Sequence, residues 1–96
     1  MSLDRVFRAI ADPTRREILR HLRRQSLTAG DIADRFTLSK PSISHHLAQL
    51  READLVFTER VGTSIRYHLN LSVFEELLTD LVELWKGGGR DTPVED

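Results

Sequence analysis

Ninety-six residues, 40% of them hydrophobic and 30% charged, allow one small domain with a thin core and are too apolar for a disordered chain. Cysteine is absent, which excludes disulfide scaffolds, thiolate metal sites and cysteine nucleophiles, and no apolar run approaches the roughly 20 residues of a membrane helix. Fourteen basic against fifteen acidic side chains leave a net charge of −1, an unpromising total for a nucleic-acid binder, yet residues 1–69 hold twelve basic and eight acidic groups while residues 70–96 hold two and seven.

Taken in chain order, Leu3, Val6, Phe7 and Ile10 fall at i, i+3, i+4 and i+7, one face of a helix. The charges within this stretch leave no signal-peptide architecture, so a cytoplasmic location is expected. Asp12-Pro13 then opens a second helix, with Asp as the N-cap and Pro where no N–H is needed. Ile18, Leu19 and Leu22 form its apolar stripe. Arg15 and Arg16, beside the capped end, are suited equally to phosphate contact and to pairing with Asp12 or Glu17. Gln25-Ser26-Leu27 breaks the pattern. Thr28, with Asp31 at the capping-box distance, starts a short third helix carrying Ile32, Ala33 and Phe36.

Ser39 caps a fourth helix with Ile43, Leu47 and Leu50 on its inner face, and Asp54 lies near its end. At 100° per residue, Pro41, His45 and Glu52 point the opposite way, Ser42 and Gln49 lie on one shoulder, Ser44 on the other, and His46 nears the core edge. The outer face of the first two turns is thus small, polar and rich in hydrogen-bonding groups, as needed to enter a major groove about 12 Å wide. Lys40 and the backbone N–H groups of the helix N-terminus are placed to hold a phosphate. The plainer reading is an ordinary solvated helix. Beyond it the period changes to two: Ile65, Tyr67 and Leu69 alternate with Arg66 and His68, and Gly62-Thr63 suits a Gly-first hairpin turn. Arg60 and Arg66 around that tip favour a grip on the DNA backbone or minor groove.

Ser72 with Glu75 reads as a capping box for a last helix bearing Phe74, Leu77, Leu78, Leu81, Leu84 and Trp85, ended by Gly87-Gly88-Gly89. The fold class is therefore mainly α with a small β-hairpin, a winged helix-turn-helix of order α-α-α-α-β-β-α. Residues 1–86 form its DNA-binding and dimerisation domain, and 87–96 a flexible C-terminal tail. The first and last helices lie outside the helix-turn-helix and are wider in apolar surface than a core this small requires. Leu3, Val6, Phe7, Ile10, Phe74, Leu77, Leu81, Leu84 and Trp85 are accordingly expected at a twofold dimer interface. Glu75, Glu76, Asp80 and Glu83 read as a solvated acidic face turned away from DNA.

FRAIADPTRREIL, LTAGDIADRFTLSKPSISHHLAQLREADLV and ERVGTSIRYHLN together resemble the arsenical-resistance repressor family (ArsR/SmtB type), and most of all its sporulation-delay-repressor-like branch. The resemblance covers residues 3–85. It implies a homodimeric winged-helix repressor of an inverted-repeat operator, with the first and last helices pairing the subunits. By position Lys40, Ser42, Ser44 and His45 match the family's DNA-reading helix, and Arg60, Thr63 and Arg66 its wing; Gln49 joins them from the angular reading. Metal-sensing members place Cys-x-Cys where this chain has Leu27-Thr28-Ala29-Gly30-Asp31, and others use Asp and His on the last helix, where residues 72–86 contain no His. The resemblance thus points to a member without either familiar metal site. No metal and no cofactor are expected.

The adjacent imidazoles of His45 and His46 point about 100° apart and do not chelate one ion readily. Ser44 beside His45 lacks the elbow and acid partner of a hydrolase, so no catalytic residues and no enzyme are expected. Double-stranded DNA and a second copy of the chain are the expected partners, with no membrane among them, and no residue names a small-molecule effector. The competing reading is a winged helix used as a protein-interaction module without an operator, favoured by the near-zero charge and the long apolar last helix.

Overall fold

The computed structural model describes residues 2–86. In chain order the elements are α1 (Leu3–Ile10), α2 (Pro13–Arg24), β1 (Leu27–Thr28), α3 (Ala29–Ala33), α4 (Lys40–Glu52), β2 (Val56–Val61), β3 (Ser64–Leu69) and α5 (Leu71–Trp85). Each of the first helices starts on an oxygen-bearing cap that satisfies an otherwise orphaned N–H. Ser2 accepts from Arg5, Asp12 from Arg15, and Ser39 from Ser42. Thr28 and Asp31 form the expected reciprocal capping box at α3. Pro13 and Pro41 sit in the first turns of α2 and α4, where their missing N–H costs nothing.

α4 stops in a motif legible only in three dimensions. Asp54 takes a left-handed conformation with φ 61°, Asp54 N–H donates to the Arg51 carbonyl at 2.9 Å and Leu55 N–H to that of Leu50 at 3.0 Å. This paired arrangement closes the last turn of a helix, usually on glycine. Here Asn70 braces it, donating from Nδ2 to the Asp54 carbonyl and from its backbone N–H to that of Leu55, each at 3.0 Å.

Two readings of the sequence need correction. The stretch before α3 is not merely a break: Leu27 pairs with Tyr67 and Thr28 with Arg66, so the sheet has three antiparallel strands in the order β1-β3-β2. Two residues carry no alternation, and only the proximity of β3 makes a strand of them. The capping box at Ser72 does not form. α5 begins at Leu71 with Asn70 at the N-cap position, and the Asn70 side chain turns to the α4 terminus instead of capping. Ser72 already lies inside the first turn. The triple glycine and tail expected to follow lie outside the described residues.

The β2–β3 hairpin runs from Val56 opposite Leu69 to Val61 opposite Ser64. Gly62 takes φ +61° at the tip, and a Cβ there would meet no atom within 4 Å, so the backbone angle and not crowding calls for glycine. A single core joins the elements. Val6, Ile18, Ile32, Ile43, Leu47, Leu50 and Leu55 are its fully buried centre, and Val73 and Leu77 attach α5 to its edge. Complete burial of each such side chain stabilises the fold by about 1.5–3 kcal/mol. No polar or charged side chain among the described residues is buried, so the functional groups lie on the surface. None of the described helices is long and apolar enough to cross a membrane.

Candidate nucleic-acid interface

The outer face of α4 follows from its inner one. With Ile43, Leu47 and Leu50 buried, Lys40, Pro41, Ser42, Ser44, His45 and Ala48 face outward and exposed, while His46 and Gln49 are half-buried at the flanks. Among the described residues the side chains of Lys40, Ser44 and His45 make no hydrogen bond. Ser42 is different. Ser39 Oγ accepts from Ser42 N–H at 3.3 Å and donates to Ser42 Oγ at 3.1 Å, which orders the Ser42 hydroxyl and leaves its own proton to donate outward. The resulting surface offers hydroxyl donors and acceptors and one imidazole, on a helix narrow enough for a major groove.

The helix N-terminus is a poorer phosphate cradle than its sequence suggests. Pro41 has no N–H, Ser42 N–H is taken by the Ser39 cap, and Ile43 N–H donates to the Ser39 carbonyl at 3.1 Å. Of the groups at this end, the Lys40 side chain and its backbone N–H are the ones left open to an anion.

Arg15 and Arg16 resolve into a third role, distinct from both phosphate contact and carboxylate pairing. Arg15 Nε donates to the Ala9 carbonyl at 2.7 Å and Nη2 to that of Arg8 at 3.0 Å, and Arg16 Nη1 donates to the Ile10 carbonyl at 2.7 Å. The two guanidinium groups thus cover the carbonyls at the negative end of α1, among them that of Arg8, which also accepts from Ala11 N–H. The remaining arm of Arg15, Nη1, lies 3.2 Å from His46 Nδ1. Arginine has only donors, so Nδ1 is the acceptor and the His46 proton sits on Nε2. Asp12, whose Oδ2 is 3.9 Å from the same nitrogen, has its carboxyl held below the ordinary range. The Arg15 N–H bond is the main cause, with the Arg15 charge assisting against partial burial. This group anchors the inner flank of α4 to the α1–α2 corner.

The wing divides between two arginines that look equivalent in sequence. Arg60 and Thr63 are exposed near and at the tip. Arg66 is half-buried, with Nε donating to Ser26 Oγ at 3.2 Å and Nη2 to the Ser26 carbonyl at 2.9 Å, so its guanidinium ties the residue just before β1 to β3. Its role as a DNA contact would require releasing both bonds. Further along the hairpin His68 stacks on Phe57 with ring centroids 5.0 Å apart and meets Glu59 Oε1 at 2.7 Å. Gln49 lies two turns beyond Ser42, beside a hollow of about 90 Å³ lined by Arg5, Arg8, Gln49, Glu52 and Ala53. Sequence reasoning passed over Arg5 and Arg8, although their i, i+3 spacing places them on one face of α1.

The expected interface residues also separate. Val6 and Leu77 are used in the chain's own core, and Leu3, Ile10 and Phe74 pack partly against it. Phe7, Leu81, Leu84 and Trp85 are exposed, Leu84 by 73% and Trp85 by 87%. Leu78, left out of the expected interface, is 64% exposed, and Leu71 and Val82 join it on the outside. The apolar arc of α5 spans about half its circumference, and two of its residues suffice to anchor it.

A short helix-turn-helix, a hairpin wing beside it and a polar outward helix face define a winged helix-turn-helix DNA-binding protein. Residues 12–58 match the profile of the bacterial regulatory protein arsR family. Over 89 residues the chain is 44% identical to the transcriptional repressor SdpR of Bacillus subtilis, covering 93% of this chain and 99% of that one. It is also 32% identical over 79 residues to an arsenical resistance operon repressor of Staphylococcus aureus, covering 82% of this chain and 76% of the relative. An ArsR-like transcriptional regulator from Rhodococcus sp. RHA1 superposes with a TM-score of 0.81 at 34% identity, over 85% of this chain and 75% of that one. The chain belongs to the arsR family and is a DNA-binding transcriptional regulator, not an enzyme. Cysteine is absent from the chain, and among the described residues no group of three or more His, Asp or Glu is placed to hold an ion.

Proposed function

We propose that the protein is a cytoplasmic homodimeric repressor in which residues 1–86 serve both DNA binding and dimerisation, leaving 87–96 as a tail. Two copies of α4 enter successive major grooves about 34 Å apart on an inverted-repeat operator. Ser42, Ser44 and His45 read base edges, while Lys40, Arg60 and Thr63 hold the backbone, with Gln49 at the far end of the reading helix.

One observation carries the dimer. From Leu78 to Lys86 every residue of α5 and its cap is exposed, although Leu78, Leu81, Val82, Leu84 and Trp85 are apolar. An isolated helical end of this length has little stability of its own in water, and an apolar stripe this long calls for a second protein surface. A twofold axis that pairs α5 with its copy, with Phe7 of α1 alongside, supplies one. The repressor reading is supported by the relatives that carry that name.

The test is fluorescence anisotropy of duplex DNA from upstream of the protein's gene over a salt series, with light scattering on the same samples. A dimer that binds one promoter site specifically, and less tightly as salt rises, is expected. Binding that ignores salt, or the absence of binding to any promoter DNA, overturns the proposal. The exposed stripe also favours the second reading, a protein-interaction module without an operator. A monomer that captures a protein through α5 and has no DNA affinity would establish that reading instead.

A further inference from the structure

Where α2, the end of β3 and the start of α5 meet, the chain leaves a cavity of about 300 Å³ lined by Leu19, Arg20, Arg23, Leu69, Leu71 and Phe74. Its composition is uneven. Four aliphatic and aromatic side chains form the walls, and two arginines one helical turn apart on α2 form part of the rim. Arg20 Nη1 is paired with Glu17 Oε1 at 2.7 Å. Arg23 has no carboxylate within ion-pair distance among the described residues. The wall is almost wholly apolar, so both arginines line the hollow through their aliphatic stems. An apolar hollow walled in part by the stem of an arginine whose exposed head is unpaired favours one kind of guest: an apolar body with a single anionic head. A guanidinium binds a carboxylate through two parallel N–H donors, which a hydroxyl or an amine does not reproduce. The volume lies at the small end of pockets that take organic ligands, which limits the guest to about one aromatic ring or a chain of about eight carbons.

We infer that this cavity is a binding site for a small amphipathic monocarboxylate, with Arg23 holding the carboxylate and Leu19, Leu69, Leu71 and Phe74 the apolar body. Leu71 and Phe74 belong to the first turn of α5, so a guest bridges α2 to the root of the helix that bears the exposed stripe. Occupancy therefore biases where α5 points. That regulatory consequence rests on the dimeric reading above; the site itself does not.

The experiment is a ¹⁵N NMR titration of the full chain, without DNA, using octanoate, octan-1-ol and octylammonium. The expected result is saturable octanoate shifts confined to the six lining residues, with octanoate about tenfold tighter than octanol. Arg23→Gln should weaken octanoate about tenfold and leave octanol unchanged, and Arg51→Gln, on the exposed side of α4, should change neither. Octanol binding as tightly as octanoate, scattered shifts, or no shifts at about 10 mM ligand, beyond the millimolar edge of useful affinity, would overturn the site. So would movement of the α2 and β3 lining resonances, Leu19, Arg23 and Leu69, on dilution of the ligand-free protein, since that assigns the hollow itself, and not α5 alone, to a second copy of the chain. Operator anisotropy with and without octanoate then isolates the regulatory step. Octanoate that binds the cavity and leaves DNA affinity unchanged removes that step alone, and absence of DNA binding in both conditions counts against the repressor reading, not the cavity.

Discussion

α4 and α5 are the two longest helices, and both are amphipathic, yet they are finished in opposite ways. α4 buries Ile43, Leu47 and Leu50 and shows solvent a face of serines, a lysine and a histidine. α5 buries Val73 and Leu77 and leaves an apolar arc outside. A helix with its apolar stripe fully covered can offer its other side to DNA without risk of association. One whose stripe is wider than the core beneath it is incomplete as a monomer. The charges follow the same division: the acidic Glu75, Glu76, Asp80 and Glu83 lie on α5, and the basic excess lies in the segments before it. A net charge near zero thus describes two regions of opposite charge.

The comparison breaks most visibly in the core. Leu50→Ala, at a fully buried position of α4, should cost about 2–5 kcal/mol in chemical denaturation, whereas Leu84→Ala, at the exposed end of α5, should cost well under 1 kcal/mol in the monomer. If Leu84→Ala destabilises the isolated chain as much, α5 is not the unfinished helix described above. Replacing Leu78 and Trp85 together with glutamate should shift the proposed dimer to monomer in light scattering while leaving the helical circular dichroism of the remainder intact. A dimer that survives this double change lies on another surface.

On the α4 side, Ser44→Ala or His45→Ala should each cost about 1–3 kcal/mol on the preferred DNA site and relax its sequence preference. Equal loss on random DNA would reduce these residues to positioning roles. The two wing arginines sharpen the contrast. Arg66→Ala removes two bonds to Ser26 and should lower stability by about 1–3 kcal/mol, while Arg60→Ala should leave stability unchanged and lower the slope of log affinity against log salt by about one.

The smallest effect concerns pH. Asp12 has a lowered carboxyl pKa because its ionised form caps α2. Its contribution is complete above the unfolded value near 4 and is lost as pH falls through the folded value. Asp12→Ala should cost about 1 kcal/mol at neutral pH and flatten the acid limb of the stability profile. An unchanged acid limb would show that the cap acts as a hydrogen bond alone.

Much of this architecture was legible in the residues because it is local. Caps at Asp12, Thr28 and Ser39, the stripe Ile43/Leu47/Leu50, and Gly62 at the hairpin tip depend on neighbours a few positions away, and sequence order preserves those relations. The outward set Lys40, Ser42, Ser44 and His45 followed from helical angle alone. What stayed hidden depends on contacts across the chain. Nothing in its surroundings along the sequence tells Arg66 from Arg60, and only the folding of β1 against β3 gives one of them Ser26. Arg15 reaches carbonyls six and seven residues back and an imidazole 31 residues ahead, a meeting that required the α1–α2 corner and α4 to pack first. Asn70 likewise left the cap it could have formed for a carbonyl on the turn after α4.

The sequence by itself determined the order of the elements and which side of each helix is apolar, because both are periodic properties of a chain of known handedness. Only the tertiary structure decided how that apolar surface is divided. Val6 and Leu77 are sealed inside while Leu78 and Trp85 are left outside, since the core has a finite area and α5 extends beyond its edge.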